Sequence, residues 1–85
     1  MTPEFVLYST WGCHLCEKAE QMLLQAGMAG RFQVIDIVDH PDVFEQYRLL
    51  IPVIACINSK ATLDWPFGQE QLQAWLQHCV IKDLK

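Results

Sequence analysis

The chain has 85 residues, 9.8 kDa, 52% hydrophobic and 19% charged side chains and a formal charge of -4. That length supports one domain, residues 1–85, burying roughly 60 to 65% of its unfolded surface, and the composition argues against disorder. Six basic residues scattered along an acidic chain argue against a nucleic-acid partner. The longest apolar run, Leu49 to Ile57, is broken by Pro52 and falls well short of a membrane span. The acidic start Met1-Thr2-Pro3-Glu4 lacks the basic residues of a secretory signal, so the expected compartment is the cytoplasm. Thiols stay reduced there, and the four cysteines are read first as catalytic or metal-binding.

In chain order, Phe5 to Tyr8 reads as a buried strand closed by the turn Ser9-Thr10-Trp11-Gly12. A helix follows from about Cys13, with Cys16, Ala19, Leu23 and Ala26 on one face and Gly27 as its stop. Arg31 to Val38 carries apolar residues on both faces, as in a largely covered sheet, and strand-helix-strand makes a right-handed parallel crossover. Asp39-His40-Pro41 opens a short helix with Val43, Phe44 and Tyr47 as its apolar side. Val53 to Ile57 and Ala61 to Trp65 form an antiparallel hairpin across Asn58-Ser59-Lys60. A last helix follows Gly68, with Leu72, Trp75, Leu76 and Cys79 at helical spacing. The order β-α-β-α-β-β-α, four strands with helices on both faces, is an α/β domain.

The chemistry centres on Cys13-His14-Leu15-Cys16 at the strand-to-helix junction. Their spacing brings both thiols to one side, within the Cα separation of about 4.4 to 6.8 Å that a disulfide tolerates. Cys13 meets the free amides and dipole of a helix start, which favour an anion. A thiol whose pKa falls from about 8.5 to about 7 attacks only about threefold faster at neutral pH, because lower nucleophilicity offsets most of the gained thiolate; its larger benefit is as a leaving group. The bland alternative is a structural cysteine pair. A metal or iron-sulfur module and a non-catalytic interaction domain are the other readings, although one C-x-x-C supplies only two of four metal ligands.

Strand Phe5 to Tyr8, the Cys13-His14-Leu15-Cys16 motif and Ile51-Pro52-Val53 before the third strand together resemble the glutaredoxin and thioredoxin superfamily. The likeness is greatest to a small glutaredoxin-like branch. It implies a thioredoxin fold with sheet order 2-1-3-4, a thiol-disulfide oxidoreductase needing no organic cofactor or metal, and a monomer. Cys13 is the implied attacking thiolate and Cys16 the resolving thiol. A cis Ile51-Pro52 bond forms the implied substrate platform, with Trp11 shading the motif and His14 beside it as a further contact. Implied substrates are disulfide-containing proteins or low-molecular-weight thiols, with glutathione or a thioredoxin-reductase system as reductant.

Typical glutaredoxins carry a lysine before the first cysteine and a Gly-Gly-x-Asp segment for glutathione. Here Ser9 to Gly12 and Trp65-Pro66-Phe67-Gly68 stand at those places, so glutathione is expected to fit poorly. Cys56 and Cys79 are expected in the core, as are Trp65 and Trp75. Glu17 and Glu20 read as solvated, with Glu17 also placed to keep the Cys16 thiol protonated; His40 and His78 read as surface residues.

Overall fold

The computed structural model describes residues 4–83, with side chains to residue 79. Its elements are β1 (Phe5–Ser9), α1 (His14–Gln25), β2 (Phe32–Asp36), a 3-10 turn (Ile37–Asp39), α2 (Pro41–Tyr47), β3 (Val53–Cys56), β4 (Thr62–Asp64) and α3 (Gln69–Asp83). The sheet order is β2-β1-β3-β4, as the resemblance implies. β1 runs parallel to β2 and antiparallel to β3, and β4 closes the hairpin with β3.

Strand alternation sorts the core. Phe5 and Leu7, opposite Cys56 and Ile54, point to the face where Ala19, Met22 and Leu23 of α1 and Leu72, Leu76 and Cys79 of α3 pack. Leu7, Leu23, Ile54 and Leu72 are at most 1% exposed, and each such burial contributes about 1.5 to 3 kcal/mol. Trp65 and Trp75 pack half-buried against this cluster, as expected, Trp75 with its ring 5.7 Å from that of Phe5.

α1 ends as its sequence foretells. The Met28 amide donates to the Leu23 carbonyl and the Gly27 amide to that of Leu24, both at 3.1 Å, with Gly27 at φ +79°. This double closure needs a left-handed residue after the cap, and buried Met28 seals it against the core.

Four elements depart from the sequence reading in extent or burial. β2 ends at Asp36 instead of running to Val38, because the Asp36 carboxylate accepts from the Val38 amide at 3.0 Å and caps the 3-10 turn. It is also an edge strand, so Val34 stays 44% exposed where a covered sheet was expected. α2 starts on Pro41 as foreseen, yet buries none of its residues fully. Its anchor to the second face of the sheet is Tyr47, stacked on Tyr8 with ring centroids 4.8 Å apart. β3 and β4 are each shorter than the expected strands, since residues 57–61 close the turn, with the Lys60 amide on the Cys56 carbonyl and the Cys56 amide on that of Ala61.

Register then determines what meets at one end of the sheet. Ser9 pairs Asp36, Tyr8 pairs Val53 and Val53 pairs Asp64. The chain therefore leaves β1 into the motif, leaves β2 into the 3-10 turn, enters β3 from Ile51-Pro52 and leaves β4 into Trp65-Pro66 at the same edge.

Candidate active site

The motif is built by the junction itself. Gly12, at φ +80°, swings the chain out of β1, and the Cys13 amide donates to the Thr10 carbonyl at 3.4 Å. Cys13 keeps extended backbone angles and serves as the N-cap of α1: its Sγ accepts from the Cys16 amide at 3.2 Å, a role usually taken by a serine or aspartate oxygen. A sulfur in that position faces the positive end of the helix. Cys13 is half-buried and Cys16 is 4% exposed; both are free thiols.

Burial pushes the Cys16 thiol up to about 12, and the hydrogen bond and charge of Cys13 and the charge of Asp36 push the same way, against a backbone hydrogen bond from Thr10. The carboxylate acting on Cys16 is thus Asp36, and not Glu17 as its adjacency suggested. Glu17 lies 3.7 Å from the His14 ring, both on the exposed side of α1.

The remaining expected residues sort unevenly. Ile51-Pro52 is cis, with Pro52 buried and Ile51 half-buried, and the Pro52 carbonyl accepts from the Trp65 amide at 3.2 Å. Register brings this segment to the motif's end of the sheet. Trp11 stands 92% exposed, so it projects from the surface instead of shading the dithiol. His14 is likewise solvent-facing, its side chain 95% exposed. Three features escaped the sequence reading: Asp36, a second cis bond at Trp65-Pro66, and the exposed Leu49 and Leu50. Parallel pairing of Ser9 with Asp36 was the available signal for the first. Among the described residues, no three His, Cys, Asp or Glu side chains gather as a metal site.

The glutaredoxin-like domain (DUF836) family model matches residues 4–77. The chain belongs to that family. Among solved structures, this glutaredoxin-like domain is similar to protein XcR50 from X. campestris, at 38% identity over 87% of this chain and 96% of that one, TM-score 0.78. It is also similar to Ne2328 from Nitrosomonas europaea, at 26% identity over 88% and 92% of the two chains, TM-score 0.65. Thioredoxin 1 from Thermosipho africanus shares the fold at 11% identity, covering 95% and 98%, TM-score 0.67. No curated protein matches the sequence. The glutaredoxin-like domain therefore has the thioredoxin fold, and its family supports a redox-type function. Among the described residues no helix is long and apolar enough to cross a membrane.

Proposed function

We propose that this domain is a cytoplasmic thiol-disulfide oxidoreductase in which Cys13 and Cys16 reduce a substrate disulfide. The observation that carries this reading is the Cys13 sulfur capping α1 at 3.2 Å from the Cys16 amide, with Cys16 buried behind it. The half-buried thiol is the one a substrate can reach, and the buried one stays protonated in reserve.

In the first step the Cys13 thiolate attacks one sulfur of the substrate disulfide; a Cys13-substrate bond forms, the substrate S–S bond breaks and one substrate thiolate leaves to take up a proton. In the second, Cys16 gives up its proton and attacks Cys13 Sγ, forming the Cys13–Cys16 disulfide and releasing the second substrate thiol. Two electrons pass from the dithiol to the substrate. A thiol or dithiol reductant then regenerates the domain.

The pair is self-timing. While Cys13 is a thiolate, its charge and hydrogen bond help hold Cys16 as a thiol. Once Cys13 is bonded to substrate that charge is gone, burial and Asp36 are the main influences left, and Cys16 ionises more readily when its attack is needed.

Ile51 and Pro52 serve as the platform for an extended substrate, with Trp11 and His14 at its margin. The test is to offer the oxidised protein glutathione with its reductase and, separately, thioredoxin reductase. Reduction by either system that disappears in Cys13→Ser supports the reading. A Cys13–Cys16 pair that neither forms a disulfide with mild oxidants nor exchanges with a substrate disulfide overturns it.

A further inference from the structure

The large apolar side chains left exposed are not spread evenly. Trp11, Leu15, Val38, Leu49 and Leu50, between 42% and 92% exposed, belong to segments that register brings to the dithiol end of the sheet; among the described residues only Leu24, Val34 and Ile57 are comparably exposed elsewhere. Such an apolar rim costs solubility unless a partner covers it. The charges beside it lean one way. Glu17, Asp36, Asp39 and Asp64 lie in the same segments, against Lys18 and Arg48, and Arg48 is itself 3.6 Å from Glu45.

Resting on the dithiol reading above, we infer that the substrate is a protein segment whose disulfide is flanked by apolar and basic side chains. The apolar flanks cover Trp11, Leu49 and Leu50, and the basic ones answer the carboxylates of Asp36, Asp39 and Asp64. Glutathione meets neither requirement. It is small, carries two carboxylates and brings a net negative charge to an acidic rim, so the rim selects against it by repulsion as well as by missing contacts.

The experiment compares mixed disulfides of one cysteine peptide with Leu/Lys, Leu/Glu or Ser/Lys flanks, together with glutathione disulfide and the small uncharged hydroxyethyl disulfide. A single turnover of hydroxyethyl disulfide by the pre-reduced domain, which releases two mercaptoethanols and leaves the Cys13–Cys16 disulfide, reports on the dithiol alone; its absence contradicts the redox reading itself, whatever the peptides do. With that activity present, the second-order rate constant of the pre-reduced domain with the Leu/Lys peptide is expected to exceed that with Leu/Glu about tenfold at low ionic strength, and the ratio to shrink with added salt. It is expected to exceed Ser/Lys about fivefold, the equivalent of burying part of one leucine side chain. Leu49→Ser, at an 82% exposed position, lowers the ratio of Leu/Lys peptide to hydroxyethyl disulfide rates, and Asp64→Asn lowers the preference for Lys over Glu. Equal rates on all three peptides, glutathione disulfide as the best substrate, or sedimentation showing a second copy bound over this rim overturns the inference.

Discussion

Replacing Cys13 by serine isolates the influence of one sulfur on the other. In the native chain burial pushes the Cys16 thiol up to about 12 from a reference value of 9.0. At neutral pH its thiolate fraction is therefore about a thousandfold lower, equivalent to about 4 kcal/mol. Burial is the largest cause and survives the substitution, whereas the hydrogen bond and charge of Cys13 do not. Serine still offers an oxygen to the Cys16 amide, so the helix cap is kept. Cys16 in Cys13→Ser is thus expected to titrate between 9.0 and about 12, below its native position yet above a free thiol. The assay is the pH profile of iodoacetamide alkylation followed by mass spectrometry, with the urea-unfolded variant as reference. The pH at which the rate levels off is the readout, since a side chain 4% exposed also slows reagent access. Superimposable folded and unfolded profiles would refute burial as the cause. A position equal to the native one would refute coupling between the two sulfurs.

Alkaline stability follows from the same group: above pH 9.0 the unfolded chain releases the Cys16 proton while the folded chain holds it to about 12, so stability is full below 9.0 and falls across that window by up to about 1.4 kcal/mol per pH unit. Tyr47, raised chiefly by burial, adds to the same slope, and denaturant titrations at several alkaline pH values should show a shallower slope in Cys16→Ala. Cys56→Ala and Cys79→Ala should each cost on the order of 1 kcal/mol from lost buried volume while leaving disulfide turnover intact, as activity assays on the folded variants will register. Tyr47→Ala should remove about 0.5 to 1.5 kcal/mol of ring stacking on Tyr8 and selectively lower hydrogen-exchange protection in α2, which has no fully buried residue to hold it.

Where periodicity and punctuation agreed, the fold was legible. Cys16, Ala19 and Leu23 are buried on α1 and Gly27 takes the left-handed position that stops it; Leu72, Leu76 and Cys79 do the same work on α3. Sheet order came through resemblance, as did the cis Ile51-Pro52 bond, since local spacing carries no information on isomer or on which strand neighbours which. Failures fell where tertiary context decides. An apolar Val34 reads as buried until its strand proves to be an edge, and Asp36 reads as a strand residue until its carboxylate caps the following turn. For the site, the two cysteines and their cap position were readable from residues 9–16. Adjacency in sequence points to Glu17 as the carboxylate acting on the Cys16 thiol, whereas the one that acts is Asp36, which parallel pairing sets beside Ser9 across the sheet.

The central claim, a two-electron exchange through Cys13 and Cys16, is tested most directly by trapping its intermediate. Cys16→Ser, treated with a protein disulfide and quenched with acid, is expected to accumulate a covalent adduct that peptide mapping locates on Cys13, while the native chain treated alike yields the Cys13–Cys16 disulfide and two equivalents of released thiol. An adduct located on Cys56 or Cys79, or no adduct alongside unchanged substrate, would contradict the account.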